Sequence, residues 1–387
     1  MSEQDISVYV HYPLCLAKCP YCDFSSRKIS NDLDNKRLEK CYLGELQYYL
    51  GILKGRKIKT VFFGGGTPSL MPLELISKIL DCCSITKNTE VSIEVNPSSS
   101  NINKFKDYKL LGINRISIGV QSLNNEYLKF FGRLHDRKDA ILTIENAQKV
   151  FKDRYSIDLI YARPEQNLKE WLKELEEASN LSPFHLSLYQ LVVSKGTKFF
   201  IDGVKALDDD EAGIMYNKTN EFLETKNIKM YEVSNYAKDG FQCRHNINYW
   251  NSGEWIGIGA GASGRFCHND LNCDTTYRTR VAVENYKSVE KWIEHVEKQQ
   301  HGAEFIEKLS RDEFREEVIL LGLRMSDGIN IDNVRKYLKV DDFYDLIFDR
   351  TNFYLLQKKK YIEVLNNNFR VNAYHFNVLD SIIRKLL

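Results

Sequence analysis

Three cysteines lie on one short segment, Cys15-Leu-Ala-Lys-Cys19-Pro-Tyr-Cys22, directly after a strand candidate that ends near His11. Thiolates are the ligands that iron–sulfur clusters favour, and a loop of this length can present three of them to three corner irons of a cubane. The usual ligand set is four cysteines, so three ligands leave one iron open to a small molecule. The spacing therefore predicts a [4Fe–4S] cluster on Cys15, Cys19 and Cys22 with one exchangeable position.

Two other chemistries use cysteines at such spacings. A structural zinc site requires a fourth Cys or His, and His11 is the residue that could complete one. A redox Cys-x-x-Cys pair would use Cys19 and Cys22 and leaves Cys15 unexplained. The cluster is the one interpretation that uses all three thiols without a further ligand.

A glycine run, Phe63-Gly64-Gly65-Gly66-Thr67-Pro68, ends the next strand candidate. Glycines allow the backbone to approach a ligand closely and to adopt positive φ, and Pro68 can begin a helix. A plain tight turn would explain the run equally well if it stood alone. Its position after a strand and beside the cysteine loop favours a ligand-binding turn.

Polar residues occur within or just after three further strand candidates: Glu94, Gln121 and Asp158. A buried polar group is costly unless it is paired, so a structural hydrogen bond would explain any one of them. Ligands of parallel sheets bind at the carboxyl ends of the strands, which meet at one edge. Three such residues at successive strand ends therefore favour a shared site.

The elements that would position these residues alternate in type. Strand candidates rich in Val, Ile, Phe and Tyr occur at 6–11, 58–63, 89–95, 114–120, 155–161, 184–190 and 229–234. Amphipathic helix candidates occur at 33–53, 72–83, 101–112, 137–151, 168–179 and 207–226. This order predicts an α/β fold with a parallel sheet covered on both faces, either open or curled into a partial (β/α)6-type barrel.

The pattern changes in the last hundred residues. Segments 281–299, 311–325 and 341–360 are expected to contain helices, followed by a hairpin at Asn366-Asn367-Asn368 and a helix over 376–387. This predicts a small C-terminal helical, winged-helix-like domain, with domain bounds at 1–240, 241–290 and 291–387. The stretch mixes acidic and basic residues, which favours a structural or docking role over nucleic-acid binding.

The overall composition excludes several classes of protein. Its 43% hydrophobic and 28% charged residues are ordinary for a soluble globular chain of 387 residues. A net charge of +1 gives no electrostatic support for nucleic acid or an anionic membrane as a partner. The polar start, MSEQDISVYV, is unlike a signal peptide, and the apolar runs are too short to cross a bilayer.

The cysteine count also bears on location. Nine cysteines, an odd number, suit a reducing compartment in which three bind a cluster and others remain reduced. Because isolated cysteines are mostly small buried hydrophobes, the ungrouped ones are expected to be structural. These are Cys41, Cys82, Cys83, Cys267 and Cys273. We predict a cytoplasmic protein.

The Cys-x3-Cys-x2-Cys loop after the first strand resembles that of the radical S-adenosylmethionine (SAM) superfamily. In that superfamily one electron from the cluster cleaves the sulfonium, giving methionine and a 5′-deoxyadenosyl radical. The glycine run resembles the superfamily's GGGTP turn, which holds the methionine end of SAM. The resemblance implies SAM as the ligand of the open iron.

Over essentially the whole chain the sequence is similar to the oxygen-independent coproporphyrinogen oxidase family. The similar segments are CPYCDF, GGGTPSL, IEVNP, RISIGVQS, HLSLYQL, YEVSNYA and residues 243–262. The resemblance implies a common set of cofactor-binding positions, which here are Tyr9, Gly65, Gly66, Thr67, Glu94, Gln121, Arg133 and Asp158.

Two features resemble the heme-chaperone branch of that family, the HemW proteins. Oxidases carry an extra cysteine two residues after the third ligand, where this sequence has Phe24. The segment His245-Asn246-Ile247-Asn248-Tyr249-Trp250 matches the HNxxYW motif that this branch associates with heme. Histidine is a common ligand of heme iron, although His245 alone could be a hydrogen-bonded core residue and Cys243 is an alternative ligand.

The resemblance implies a carrier that binds heme and transfers it to an unidentified acceptor protein, with the cluster and SAM controlling transfer or a possible homodimer. The alternative is an oxidase that decarboxylates two propionate side chains of coproporphyrinogen III.

The sequence departs from the family at Ala162-Arg163-Pro164, where Gly-Leu-Pro is expected, and at Ser263-Gly264, where His-Ser is expected. Both departures leave the shape of the substrate or heme cavity open. The run over 256–262 fits the pattern G-x-G-x-x-A, but no helix pattern or acidic residue follows it, so we reject a dinucleotide site.

Overall fold

The computed structural model describes residues 5–30, 34–53, 55–267, 280–338 and 343–387. Its strands are β1 (Ile6–Tyr12), β2 (Leu14–Cys15), β3 (Arg27–Lys28), β4 (Ile58–Gly65), β5 (Glu90–Val95), β6 (Arg115–Gln121), β7 (Tyr155–Tyr161), β8 (His185–Gln190), β9 (Lys229–Glu232), β10 (Asn235–Ala237), β11 (Trp255–Ile258), β12 (Ser263–Cys267), β13 (Arg280–Asn285), β14 (Ala303–Lys308), β15 (Ile329–Asn330), β16 (Ile362–Leu365) and β17 (Asn368–Val371). Its α-helices are α1 (Asn35–Ile52), α2 (Leu73–Cys82), α3 (Ile102–Leu110), α4 (Asn125–Phe130), α5 (Arg137–Phe151), α6 (Leu168–Leu181), α7 (Lys198–Ile201), α8 (Asp209–Thr225), α9 (Arg244–Trp250), α10 (Val289–Gln299), α11 (Arg311–Gly322), α12 (Ile331–Leu338), α13 (Arg350–Lys358) and α14 (Leu379–Leu386).

Twelve of these strands form one sheet, in the order β14-β13-β12-β11-β1-β4-β5-β6-β7-β8-β10-β9. The strands from β11 through β1 and β4 to β8 run parallel, and the strands outside them pair antiparallel. Within the described ranges, the edge strands β14 and β9 do not pair with each other, so the barrel is not closed. The predicted α/β fold with a mostly parallel sheet and further C-terminal helices is confirmed.

Side chains of the parallel strands alternate between two environments. In β1, Ile6, Val8 and Val10 join the hydrophobic core together with helix residues, whereas Tyr9 and His11 line an interior cavity. A period of two is what a strand imposes on its side chains. Polar side chains on the inner face therefore line cavities, while the apolar side chains of the other face join the hydrophobic core.

Local hydrogen bonds define where several helices begin. Asp34 accepts from backbone N–H groups of the first turn of α1, and the pairs Asn167–Glu170 and Ser310–Glu313 form capping boxes at α6 and α11. Such caps satisfy N–H groups that have no partner inside the helix.

The C-terminal part contains the predicted helices and hairpin, with one correction. The predicted helix over 281–299 is wrong in its first half, because Arg280–Asn285 forms β13 between β12 and β14. Val281 and Val283 are buried and alternate with less buried residues, which is a strand pattern. The helix begins only at Val289, where Ser288 accepts from the Lys291 N–H.

The remaining C-terminal elements include a small antiparallel sheet in the order β15-β17-β16. The predicted helix over 341–360 is α13 within the described residues, while 341 and 342 lie outside them. The division at residues 240 and 290 stays a prediction; the large sheet continues across both positions. In the described part of the chain, every helix falls short of the length and apolarity needed to cross a membrane.

One buried carboxylate connects α1 to the antiparallel side of the sheet. Glu45 has no exposed surface, and its Oε1 accepts from the Gly302 N–H (2.7 Å) and Asn285 Nδ2 (2.9 Å). Its Oε2 accepts from the Gly259 N–H (2.8 Å) and Trp292 Nε1 (2.9 Å). Burial nevertheless raises the pKa of Glu45 to about 7. Each Glu45 carboxylate oxygen accepts two hydrogen bonds, so this connection requires a side chain with two acceptor oxygens.

We predict that Glu45→Gln lowers the free energy of unfolding by about 2–4 kcal/mol, because the new amide would direct N–H groups at two N–H donors. Urea denaturation measures this change. Glu39→Gln on the same helix is the control, since its partly exposed ion pair with Lys78 (2.7 Å) is worth less than about 1 kcal/mol. Equal losses in the two variants would contradict the prediction.

Candidate functional site

A cavity of about 410 Å³ opens at the carboxyl ends of the parallel strands. It is lined by nearly all residues that the sequence assigned to the cluster and SAM: Cys15, Cys19, Cys22, Gly65, Gly66, Thr67, Glu94, Gln121, Arg133 and Asp158. Besides the cysteine loop, they come from strands β4 to β7, from the glycine turn after β4 and from the loop after α4, which carries Arg133. The predicted strand-end site is thus one continuous surface.

The cysteine loop is held at its base by backbone pairing. β2 and β3 pair in parallel, and the Ile29 N–H donates to the Cys15 carbonyl (2.9 Å). Cys15 is buried, whereas Cys19 and Cys22 are half-buried, and all three are free thiols. A Cβ on Gly66 would lie 2.8 Å from the Cys15 Sγ, so the glycine turn can approach the loop only without a side chain.

The donor set fits a cubane better than a single zinc ion. His11 Nε2 donates to the Ser25 carbonyl (2.8 Å), so its Nδ1 accepts from the Tyr9 hydroxyl (3.0 Å). Both ring nitrogens are therefore occupied and cannot complete a zinc site. Among the described residues, no three His, Cys, Asp or Glu side chains converge on one ion, whereas cubane ligands bind different irons and stand apart.

Tyr9 is the predicted SAM-site residue that does not line this cavity. It lines a deeper cavity, where its hydroxyl orients His11. His11 in turn holds the Ser25 carbonyl within the cysteine loop. Through His11, Tyr9 therefore helps to position the cysteine loop.

The glycine turn presents its backbone to the cavity. Gly65 adopts φ +113°, a conformation that favours glycine, and its N–H donates to Glu94 Oε2 (3.2 Å). The Gly66 N–H donates to the Tyr12 carbonyl (2.8 Å), and Thr67 Oγ1 accepts from Asn96 Nδ2 (3.1 Å). Hydrogen bonds to Glu94, Tyr12 and Asn96 therefore hold the turn in place without a ligand.

Two carboxyl groups face each other in this region. Burial and the charge of Asp158 raise the pKa of Glu94 to about 8. Burial raises the pKa of Asp158 to about 6, against hydrogen bonds from Ser117 and Ser187. A positively charged group beside Glu94 would favour its ionised form, so this part of the cavity suits an ammonium or sulfonium ligand.

Arg133 places a positive charge against the cysteine loop. Its Nη1 lies 3.5 Å from the Cys19 Sγ and 3.5 Å from the Tyr21 hydroxyl, and its Nη2 donates to the Gly119 carbonyl (2.8 Å). A nearby cation favours a thiolate over a thiol. Arg133 therefore suits a position next to a thiolate ligand.

A second cavity, of about 850 Å³, lies against the inner face of the sheet. We call it the inner cavity, and the cavity beside the cysteine loop the outer cavity. It shares Phe24, Gly65, Glu94, Asp158 and Tyr189 with the first cavity, so the two are adjacent. The parallel strands β5 to β8 each contribute one serine to the lining of the inner cavity: Ser92, Ser117, Ser156 and Ser187. The sequence analysis missed this cavity, although the serines alternate with apolar residues in each strand and could have indicated it.

His245 lies in the wall of this second cavity and away from the cysteine loop. It is 2% exposed, and Phe62 stacks on its ring with centroids 5.0 Å apart. Its Nδ1 lies 2.7 Å from Thr60 Oγ1. Because Thr60 donates its own proton to Ser7 Oγ (2.8 Å), it must accept the proton of Nδ1.

The tautomer of His245 follows from this contact. Its Nε2 carries a lone pair and has no partner in the described part of the protein. Cys243, the alternative ligand, donates to Glu90 Oε1 (3.6 Å), and burial raises the pKa of its thiol to about 12. Of the two candidates, His245 is the better metal ligand at neutral pH.

The departure at Ala162-Arg163-Pro164 has a structural counterpart. Arg163 is 1% exposed and forms an ion pair with Glu174 (2.5 Å). It also donates to Ser122 Oγ (2.8 Å), which connects the turn after β7 to the turn after β6. Ala162 itself adopts φ +54°, where the expected glycine would be less strained.

The second departure, Ser263-Gly264, belongs to β12. The glycine run before it connects β11 to β12 in an antiparallel pair. A strand, not a helix, follows the run, which agrees with the rejection of a dinucleotide site. Of the ungrouped cysteines, Cys41 and Cys83 are buried, Cys82 and Cys267 are half-buried, and Cys273 lies outside the described residues.

Comparisons with known proteins agree with this arrangement. Residues 9–178 match the radical SAM superfamily. The chain is 34% identical to a radical S-adenosyl methionine domain-containing protein 1, mitochondrial, from Danio rerio, over 99% of this chain and 87% of that protein. It is 37% identical to the heme chaperone HemW of Escherichia coli, over 71% of this chain and 74% of that protein. The fold matches the coproporphyrinogen III oxidase HemN of Escherichia coli, a radical SAM enzyme, with a TM-score of 0.82 at 18% identity, covering 99% of this chain and 90% of that one.

We predict that Glu94→Gln makes the ligand-free protein less sensitive to alkaline pH. The folded-state pKa of about 8 lies above the ordinary value of 4.5, so the folded state retains a proton that the unfolded state has lost. Stability from this group is therefore lost as pH rises from about 4.5 to 8. Urea denaturation should show the variant gaining stability relative to the wild type between pH 5 and pH 8.5.

Glu74→Gln is the control for this measurement. Lys78 lowers the pKa of Glu74, so that carboxylate stays ionised over the same range and its replacement should leave the pH dependence unchanged. A Glu94→Gln variant whose pH profile runs parallel to the wild type would contradict the prediction.

Proposed function

We propose that the protein is a heme carrier. The proposal rests on its family: the chain belongs to the radical SAM superfamily and, within it, to the family of the HemW heme chaperones and the radical SAM domain-containing protein 1 relatives. It binds heme in the inner cavity and transfers it to an acceptor protein. It holds a [4Fe–4S] cluster and exchangeable SAM in the outer cavity. The single observation that supports heme binding most strongly is the unpartnered Nε2 of His245.

In the outer cavity, Cys15, Cys19 and Cys22 are the proposed cluster ligands. When bound, a cluster of this type supplies single electrons to the sulfonium of SAM. Gly65, Gly66 and Thr67 would bring backbone close to bound SAM, and Glu94 would hold its ammonium group. Gln121, Arg133 and Asp158 complete the lining on the side of β6 and β7.

In the inner cavity, His245 is the proposed ligand of heme iron. Thr60 fixes the ring so that Nε2 presents its lone pair, which is how a second hydrogen bond orients metal-binding histidines. Phe62 and Tyr249 pack on the ring and limit its rotation. The volume of about 850 Å³ lies within the range of cofactor pockets.

Phe24 supports the carrier over the oxidase alternative. Its side chain is 60% exposed and lines both cavities, at the position where oxidases have an extra cysteine. A phenyl ring has neither a thiolate nor a proton to contribute, so this position offers no chemistry for decarboxylation. The identity of the acceptor, a homodimer and the cytoplasmic location stay predictions.

We predict that the protein binds one heme per chain and that His245→Ala weakens this binding at least about a hundredfold, because an iron ligand is removed. Titration followed by the Soret absorbance measures the affinity. His375→Ala, in the C-terminal part, is the control and should bind like the wild type. Formation of vinyl products from coproporphyrinogen III under reducing anaerobic conditions, without stoichiometric heme binding, would favour the oxidase instead.

Two variants of Thr60 separate iron ligation from a general loss of packing. Thr60→Val removes the acceptor for Nδ1 and should weaken heme binding about tenfold, as loss of a second hydrogen-bond partner does at other metal sites. Thr60→Ser retains the hydroxyl and should bind nearly as well as the wild type. If both variants bind heme equally, the fixed tautomer has no role in ligation.

A further prediction concerns the cluster. Alanine at Cys15, Cys19 and Cys22 together should abolish the iron–sulfur absorbance of anaerobically reconstituted protein, because all three proposed thiolate ligands are removed. Cys82→Ala, a half-buried thiol on α2, is the control and should retain the full cluster. Unchanged iron content in the triple variant would refute the assignment of these ligands.

A further inference from the structure

The floor of the inner cavity, at the amino-terminal ends of β6 and β8, contains a buried arginine that forms no ion pair within the described residues. Arg115, the first residue of β6, is 4% exposed and lines the cavity. Its Nη1 donates to the Phe241 carbonyl (2.9 Å), while Nη2 has no partner and no described carboxylate lies within 4 Å of the guanidinium. An unpaired buried charge costs several kcal/mol, so such a group requires a partner from elsewhere.

A second unpartnered donor lies on the same floor. His185, the first residue of β8, is 2% exposed, and its Nε2 lies 3.0 Å from the Tyr231 hydroxyl. That hydroxyl already accepts from the Cys243 N–H (3.4 Å) and from Asn246 Nδ2 (3.5 Å), so its own proton is directed to Nε2. Nδ1 of His185 therefore carries the ring proton, and it has no partner among the described residues.

Arg115 and His185 act on each other. The charge of Arg115, together with burial, lowers the pKa of His185 well below its ordinary value, which agrees with a neutral ring that has one N–H. The unpartnered Ser92 hydroxyl lines the same cavity. Unpartnered acceptors, Glu232 Oε2 and Asn235 Oδ1, also line the cavity, on β9 and β10. The β6 and β8 side of the floor thus offers donors.

We propose that Arg115 Nη2 and His185 Nδ1 form a carboxylate-binding site, and that the carboxylate is a propionate group of the heme in the inner cavity. This assignment rests on the proposed heme-carrier function, because His245 lines the same cavity. The propionate supplies the negative charge that Arg115 lacks. Charge-assisted hydrogen bonds of this kind are the stronger class, and a guanidinium is well shaped for a carboxylate.

Comparison of heme with its dimethyl ester tests the proposal on the wild-type chain. The ester retains the iron and the macrocycle but has no anionic carboxylate. We expect the wild type to bind heme about ten- to a hundredfold more tightly than the ester, as measured by Soret titration in the same detergent. Equal affinities for the two ligands would overturn the carboxylate site while leaving heme binding by His245 intact.

Variants then locate the effect. Arg115→Gln should remove the preference for heme over the ester without changing the affinity for the ester, and Arg115→Lys should retain part of it. His245→Ala should weaken both ligands equally. If the wild type binds neither ligand, the heme-carrier function itself fails, which is a different outcome from loss of the preference alone.

A free carboxylate could use the same donors, so its chemistry is tested separately. Succinate is added to the heme-free protein, and the melting temperature is compared between wild type and Arg115→Gln. Stabilisation of the wild type by succinate, combined with equal affinity for heme and its ester, would assign the site to a small dicarboxylate and overturn the propionate assignment. No stabilisation at millimolar succinate, with heme preferred over the ester, is the result we expect.

Discussion

The structure depends on strict two-residue alternation within its parallel strands. In β1, Ile6, Val8 and Val10 pack against the outer helices, while the residues between them face inward. On β4, Phe62 pairs with Tyr9 and lines the same cavity. A shift of one residue in any strand would turn apolar side chains into the cavities and polar ones into the core. The alternation therefore produces both the hydrophobic core between sheet and helices and the polar lining of the inner cavity.

The same inward residues position the cysteine loop. The Tyr9 hydroxyl orients His11, and His11 holds the loop through the Ser25 carbonyl. From the helix layer, the Tyr42 hydroxyl donates to the His11 carbonyl (2.6 Å), and Glu45 one turn further along α1 fixes the turn at Gly259. Hydrogen bonds from β1 to the loop and from α1 to β1 therefore support the cysteine loop. This support lets three cysteines on a short segment keep a defined arrangement.

The features predicted best from the sequence are those determined by local residue order. The cysteine spacing, the glycine turn and the parallel strands follow from residues within one or two elements. The strand at Arg280–Asn285 was predicted as part of a helix because its short alternating pattern runs directly into a true helix, and only pairing with β12 and β14 decides between them. Cofactor binding by Tyr9 stays a prediction; its hydroxyl contacts His11 beside the inner cavity, and a motif does not specify that direction of the side chain. Arg163 departs from the expected residue, and its compensation by Glu174 depends on a helix that follows later in the chain.

Charge balance connects the two cavities. Most buried cations in the described structure have an internal counterpart: Arg163 pairs with Glu174, and Arg133 faces the Cys19 sulfur. Glu94 and Arg115, which line the two cavities, have no such partner among the described residues. Burial and the charge of Asp158 raise the pKa of Glu94 in the outer cavity, and Arg115 on the inner floor has no described carboxylate within ion-pair distance. Since uncompensated buried groups reduce stability, their persistence suits ligands of the opposite charge. A cationic ligand in the outer cavity and an anionic one in the inner cavity would each supply the missing partner, so the protein is expected to be most stable when both cavities are filled.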